Sequence, residues 1–599
     1  MAMSRRRKIF LIVFGIALAL VLAAILGLAL LIGSLRQSPP TIANNSVLVL
    51  KLEGALPDYV PEDPIASRLF GRSDQSLTGI LTQLRKAKKD KRISAVLLEL
   101  DFVGGGWAKA DELRDAITDF RASGKPIYAY MELGTNKEYY IATACERIYL
   151  PPIGDLYING LATEVTFIRG TLDKLGIYPD FYQIGKYKNA PDQLTRKEMS
   201  EAHREVVNAM LDDVFNRFIG AVAAARKKSP EDVRAIIDNA PISAPEAQQA
   251  GLIDGAKYRD EVDAELKSRL GYKEADKLRT VSAAVYRQVT PESLDLNKGE
   301  RIAVIYATGA IGPGKSGNDP FGGQSVGSDT VVKAINDASA DKTVRAIVLR
   351  VDSPGGSVYA SDVIWHAVEA AKKQKPVVVS MSDLAASGGY YISTNANRIV
   401  AEPSTITGSI GVFGGKPVMK GFYDWIGVNN QYVLRGKTAG MFRETEPFTR
   451  EERDKFESMI KSFYHDDFLP KVAQGRNKDV EYIDSIAQGR VWSGAQAKER
   501  GLVDEFGGLD RAIEVAKSLA NIPASKEVRR VIFPAPRTLL QELFGGGDEE
   551  ANIFVRHREQ AAIEHLPEDV RRTLRYAVLF DRMKRGELMA LMPFDIQIR

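Results

Sequence analysis

The sequence predicts an α/β protein built from two copies of one domain, set behind an N-terminal transmembrane helix. Three observations predict it: a long uncharged apolar run near the start, an internal repeat, and strand–helix alternation inside each copy. Arg5, Arg6, Arg7 and Lys8 precede an apolar run from Ile9 to Gly33 that holds no charged residue. A helix rising 1.5 Å per residue needs about 20 residues to cross the bilayer core, and this run exceeds that. It also exceeds the apolar region of a cleavable signal, about 7–15 residues, so an uncleaved anchor is expected, with a cleaved signal as the alternative. The basic cluster should stay cytoplasmic, which puts everything after Gly33 on the far side. No later stretch is both long enough and free enough of charge to span again.

The repeat is seen by aligning residues 76–101 with 327–352. Ile80 falls on Val331, Leu84 on Ile335, Asp90 on Asp341, Lys91 on Lys342 and Ala95 on Ala346. In each copy a helical pattern leads to a short apolar run, 95–100 or 346–351. Such runs, ending at an aspartate and then paired glycines (Gly104-Gly105, Gly355-Gly356), read as buried parallel strands. Lys125-Pro126 matches Lys375-Pro376, Tyr139-Tyr140-Ile141 matches Tyr390-Tyr391-Ile392, and Gly185-Lys186 matches Gly436-Lys437. The earliest strand pair is 47–52 and 302–307. The expected organisation is a basic N-terminus over 1–8, the anchor over 9–33, a linker over 34–45, domains over 46–298 and 299–525, and a tail over 526–599. The tail carries a glycine-rich break at Gly545–Gly547, charged helical stretches, and no visible chemistry.

Composition excludes more than it selects. Hydrophobic residues are 45% and charged residues 26%, as in ordinary globular proteins, and the formal charge of +4 gives no reason to expect a nucleic-acid partner. A single cysteine, Cys145, excludes an intrachain disulfide. No cofactor-binding or metal-binding pattern stands out.

The chemistry is concentrated in the second copy. After the strand over 376–381 the chain reads Asp383-Leu-Ala-Ala-Ser387-Gly388-Gly389-Tyr390. A serine followed by two glycines, between a strand and a helical segment, suits an exposed nucleophile, because glycine admits close approach of a substrate backbone. Unpaired N–H groups at the helix start, Gly388 first among them, face a developing oxyanion. The loop Asp352-Ser-Pro-Gly355-Gly356-Ser357 ends the neighbouring strand pattern, and its glycine N–H groups are candidates to complete the oxyanion hole. Either loop alone reads as a tight strand–helix turn; the two in this order read as a site.

A serine hydroxyl needs a base. Of the 5 histidines, His366 lies in the helical pattern after Gly355-Gly356, among Val363, Ile364, Trp365 and Val368, and reads as a helix-face residue. His203, His465, His557 and His565 lie in charged helical segments and read as solvated. Lysine can serve instead if burial lowers its pKa from about 10.4. The repeat singles one out. The first copy has Gly185-Lys-Tyr-Lys188-Asn-Ala where the second has Gly436-Lys-Thr-Ala439, so Lys188 falls on Ala439. Conversely, the first-copy loop Leu133-Gly-Thr-Asn136-Lys137-Glu138 has neither serine nor Gly-Gly opposite Ser387. One copy keeps the lysine, the other the serine, and docking of the copies would assemble one Ser–Lys dyad.

Four motifs together, Asp352–Ser357, Ala386–Tyr390, Thr407-Gly-Ser-Ile-Gly411 and Gly185–Lys188, resemble the signal peptide peptidase family in its long two-domain bacterial form, within the ClpP/crotonase superfamily. The resemblance covers the chain from the anchor to about residue 525. It implies two ClpP/crotonase-like domains, Ser387 as nucleophile, Lys188 as general base, and Ser409 hydrogen-bonded to the lysine and orienting it. It implies a homotetramer on the outer face of the bacterial cytoplasmic membrane, acting on hydrophobic peptides such as spent signal peptides. The Asn189-Ala-Pro-Asp that follows the lysine departs from the pattern and leaves Lys188 in place. Three rival readings remain: an inactive peptide-binding membrane scaffold, an acyl-CoA enzyme of the crotonase type, and a nucleotide-binding protein. The last rests on Gly309-Ala-Ile-Gly-Pro-Gly314-Lys315-Ser316, which has P-loop spacing but is followed by a glycine- and proline-containing loop rather than a helical pattern.

Overall fold

Parallel strands in the first half run as near-continuous apolar segments because both of their faces are covered. The computed structural model describes residues 41–60, 75–319, 323–535, 586–592 and 597–598, together with Gly15. Apart from Gly15, the expected anchor over 9–33 lies outside the described residues, as do the glycine break and the charged part of the tail. Among the described residues no helix is long and apolar enough to cross a membrane.

The first sheet is wholly parallel, in the order Gly255–Ala256, Arg147–Leu150, Ile127–Tyr130, Ile93–Val103, Ser46–Gly54, Thr280–Ser282. The second repeats that order with Glu505–Phe506, Arg398–Ala401, Val377–Ala386, Val344–Ser353, Glu300–Thr308, Val528–Phe533. Its outer strand thus lies beyond residue 525, inside the stretch read from sequence as tail. One face of each sheet is covered by a single late helix. Val262 and Leu266 of Arg259–Arg269 pack on Val47, Ala95 and Leu97; Leu509, Ala512 and Ile513 of Leu509–Leu519 pack on Ile302, Ala346 and Val348. The opposite faces bury the large cores under the crossover helices.

Duplication extends to individual hydrogen bonds. Tyr139 donates to the Leu252 carbonyl at 2.8 Å, and Tyr390 to that of Leu502 at 3.0 Å. Tyr140 donates to Asp111 at 2.6 Å, and Tyr391 to Asp362 at 2.7 Å. Lys125 caps the carbonyls of Ala87 and Asp90, as Lys375 caps those of Ala338 and Asp341. Buried polar groups must be satisfied, so these pairs have persisted where surface residues diverged.

The segment with P-loop spacing is not a P-loop. Ala310–Gly312 leads into Gly317–Asp319 and Gly323–Gly327, an antiparallel hairpin, before the helix Ser328–Ala340 begins. A phosphate cradle needs the loop to open straight into a helix N-terminus, and a hairpin intervenes.

Two features weld the halves. The first is a third, seven-stranded sheet in which Tyr178–Ile184 of the first half pairs antiparallel with Val412–Val418 of the second, Ile184 opposite Val412 and Tyr178 opposite Val418. The second is a buried charge cluster. Arg350, 1% exposed, donates to Asp58 and to Glu112 at 2.7 Å each. Lys109 reaches Asp352 at 2.9 Å and Asp383 at 3.4 Å. Asp383 also accepts from the backbone N–H groups of Gly106 at 2.6 Å and Lys109 at 2.9 Å. Asp352 and Asp383 stand just ahead of the two glycine loops, so first-half groups hold the approach to both. Removing Arg350 leaves buried carboxylates uncompensated. Arg350→Met should therefore cost about 3–5 kcal/mol, read as a lowered urea midpoint.

Candidate active site

The inter-half strand pair brings the site together. Lys188 lies four residues beyond Ile184, and Ser409 three before Val412, so pairing Ile184 with Val412 sets the two side by side. Lys188 Nζ stands 2.8 Å from Ser387 Oγ, 3.0 Å from Ser409 Oγ and 3.1 Å from the Ser409 carbonyl oxygen. All three residues are fully buried. Burial alone drives the Lys188 pKa well below its usual value, and no carboxylate acts to restore it.

Close backbone approach positions the lysine. Tyr187 N–H donates to the Gln488 carbonyl at 2.8 Å, and Lys188 N–H to that of Gly185 at 3.1 Å. Gly489 has φ +74°, and a Cβ there would lie 2.6 Å from the Lys188 Cα. Ser387 itself has φ 55° and ψ −111°, a region that non-glycine residues avoid. Its N–H donates to the Gly408 carbonyl at 2.8 Å, which holds this conformation at the strand–helix corner.

The three expected oxyanion glycines divide. Gly388 opens the short helix Gly388–Ser393 directly after Ser387. Gly356 lies in the strand Gly355–Ser357. Gly355 is a correction: its N–H is taken by Ser353 Oγ at 3.1 Å and is not offered to a ligand. What Gly355 contributes is the absence of a side chain, since a Cβ would fall 2.5 Å from the Gly388 nitrogen and 2.1 Å from the Ala590 carbonyl oxygen. That carbonyl belongs to a strand the sequence did not reveal. Met589–Leu591 pairs antiparallel with Gly355–Ser357 and also meets Phe413.

The other candidates fall outside the cluster. His366 and His465 are exposed, and His557 and His565 lie outside the described residues. His203 was expected to be solvated and is buried, because it shares a helix face with Val206, Val207 and Met210. Burial lowers its pKa. Cys145 is no rival nucleophile, since burial pushes its thiol up to about 12. In the first half, Asn136 occupies the repeat position of Ser387 and donates to the Gly160 carbonyl at 2.9 Å; Ser387 Oγ stands 3.4 Å from the equivalent Gly411 carbonyl oxygen.

Two stretches, residues 119–273 and 369–523, match the model of peptidase family S49. The chain belongs to that family. The double match follows the duplication, one copy in each half. This S49 protein is 38% identical to the chloroplastic serine protease SPPA of Arabidopsis thaliana, over 84% of this chain and 74% of the relative. It is 36% identical to Protease 4 of Salmonella typhi, over 83% of this chain and 81% of the relative. Protease 4 of Haemophilus influenzae is 32% identical over 80% of each chain. S49 membership makes the chain a serine endopeptidase. Replacing Gly489 by valine should displace the Lys188 backbone. Since a shift of about 1 Å at a reacting group costs on the order of 100-fold, Gly489→Val should lower peptidase kcat/KM by that much while the circular dichroism spectrum stays unchanged.

Proposed function

We propose that this S49 peptidase cleaves peptide bonds with a dyad of Ser387 and Lys188, one residue from each half. The observation that carries this is the 2.8 Å approach of the Lys188 amine to the Ser387 hydroxyl in a fully buried setting with no carboxylate to hold the amine charged. A neutral amine has two N–H groups and one lone pair. The Ser409 hydroxyl and carbonyl oxygens accept the two N–H groups, which turns the lone pair toward Ser387. Ser409 is thus the orienting residue.

In this reading Ser387 attacks the scissile carbonyl as Lys188 takes its proton. The Gly388 N–H, with that of Gly356 from the neighbouring loop, meets the oxyanion. Lys188 then gives its proton to the leaving amine, and water repeats the cycle on the acyl-enzyme. Each half keeps the ClpP/crotonase-like character read from its motifs, its parallel sheet carrying the reactive loops at the strand ends. With the apolar run 9–33 as anchor, the catalytic halves would sit on the outer face of the cytoplasmic membrane and degrade hydrophobic peptides such as spent signal peptides.

Assembly into a homotetramer draws support from the repeat. Gly176 and Gly185, at φ +69° and +106°, bracket the strand that crosses to the other half; Gly427 and Gly436, at φ +77° and +99°, bracket its counterpart. That counterpart forms no strand and exposes Val428, Tyr432 and Val433, the last at 85%. In this reading a neighbouring copy covers it by the same strand addition that joins the halves. Val433→Asp should then lower the mass measured by light scattering for the detergent-solubilised chain.

Ser387→Ala and Lys188→Ala should each reduce peptide hydrolysis by at least about 100-fold, the usual minimum for loss of a catalytic base. Full activity in Lys188→Ala would exclude the dyad. Activity should fall on acidification through the depressed lysine pKa, because only the neutral amine accepts the proton. The linkage has the same origin. Lys188 is neutral when folded and charged when unfolded, so unfolding takes up a proton, and the resulting penalty grows as pH falls from the unfolded pKa toward the folded one. Lys188→Met should therefore abolish activity while raising the neutral-pH melting temperature.

A further inference from the structure

Resting on the dyad reading, we propose that Lys109 of the first half is a positioning residue: it fixes the serine loop against the loop that carries Gly356, so that nucleophile and oxyanion donors stay in register. The strands leading to those loops, Val344–Ser353 and Val377–Ala386, lose their pairing just before the loops begin. Val351 stands opposite Met381, and the next paired residues are Ser353 and Ala385, so Asp352 alone faces Ser382, Asp383 and Leu384. A bulge of this kind interrupts the main-chain ladder and re-aims the residues that follow. Side chains span the gap instead. Asp352 accepts from the Leu384 N–H at 3.2 Å and from Lys109 Nζ at 2.9 Å, and the same amine lies 3.4 Å from Asp383 and 3.7 Å from Asp58. Lys109 is 6% exposed. Burial opposes its charge, but Asp352, Asp383 and Asp58 outweigh that and raise its pKa above the usual lysine value.

The repeat shows which loops the bridge serves. Gly106 and Lys109 fall on Ser357 and Ala360. In the second copy Ser357 caps its own helix, its Oγ accepting from the Ala360 N–H at 3.3 Å. In the first copy glycine stands in the serine's place. Asp383 crosses from the other half to cap that helix, Trp107–Arg121, accepting from the Gly106 N–H at 2.6 Å and the Lys109 N–H at 2.9 Å. Only glycine leaves room for it, since a Cβ on Gly106 would lie 2.6 Å from the Asp383 carboxyl carbon. Asp352 in turn falls on Asp101, which is exposed, and the second-copy helix carries alanine where the bridging lysine would be. The division is the one seen for Lys188 and Ser387. The first half sends two buried lysines to the second, Lys188 uncharged for proton transfer and Lys109 charged for alignment.

The test separates alignment from stability. Lys109→Met keeps the side chain's length and removes the bridge. Gly106→Ser gives the helix the cap that the second copy uses and displaces Asp383, so it loosens the same bridge in a helix that stays capped; it decides the matter if Lys109→Met does not fold. A misplacement of about 1 Å at the reacting groups costs on the order of 100-fold, so both variants should lower kcat at least about tenfold while KM changes less than about threefold. The second readout is a peptide aldehyde. Ser387 Oγ bonds to the aldehyde carbon, its proton passes to Lys188, and the aldehyde oxygen takes the negative charge beside the oxyanion donors. Its inhibition constant should weaken by the same factor as kcat, whereas the matching peptide alcohol, which only occupies the site, should bind as before. Wild-type kcat and aldehyde affinity in the folded variants, or aldehyde and alcohol weakened alike, would overturn the proposal. Aldehyde inhibition of the wild type that is unaffected by Ser387→Ala would instead overturn the dyad, and the proposal with it.

Discussion

Everything at the candidate active site depends on one strand pairing, Tyr178–Ile184 against Val412–Val418. A parallel α/β half cannot bring a distant lysine to its own serine loop without another element, and here the other half supplies it. The pairing fixes register, and a slip by one residue would turn every side chain to the opposite face. Gly415, at φ +155°, lets the two backbones close, since a Cβ there would come within 2.3 Å of the Asp180 carbonyl oxygen. Gly489 does the same beside Lys188. The buried cluster of Arg350, Lys109, Asp58, Glu112, Asp352 and Asp383 reinforces the arrangement from the opposite side of the glycine loops. Neither half holds both Lys188 and Ser387.

That division explains the shape of the divergence. Residues that satisfy buried polar groups persist in both copies, whereas each member of the proposed dyad persists in one. Asn136 holds the Ser387 position with a hydrogen bond of its own, so the first-half loop remains a well-made corner without a nucleophile. Ala439, opposite Lys188, is exposed and has no site to serve. The strained Ser387 backbone and the desolvated Lys188 amine both oppose folding, and each occurs in one copy only.

The duplication, the parallel sheets and the two glycine loops were legible because they rest on local apolar runs and on residues compared across the repeat. Lys188 was legible only through its loss from the second copy; as one lysine among many it carries no local mark. Other features had no such mark. The three-residue strand Met589–Leu591 is too short for any periodicity. The charge cluster joins residues as far apart as Asp58 and Asp383, and composition cannot tell a buried ion pair from a solvated one. The donor lost at Gly355 depends on where Ser353 Oγ points, a matter of tertiary geometry. His203 is the exception: its spacing from Val206, Val207 and Met210 marks an inward face, and the charged neighbours that suggested exposure lie around the other side of the helix.

The central claim is that an uncharged lysine from one half sits against the serine of the other. The most direct measurement is an NMR titration of the Lys188 side chain in lysine-labelled enzyme, assigned by its loss in Lys188→Met. A midpoint well below 10.5, moving with substitution of Ser409, is the predicted result. A midpoint at the ordinary lysine value, unaffected by changes at Ser409 or Ser387, would contradict it.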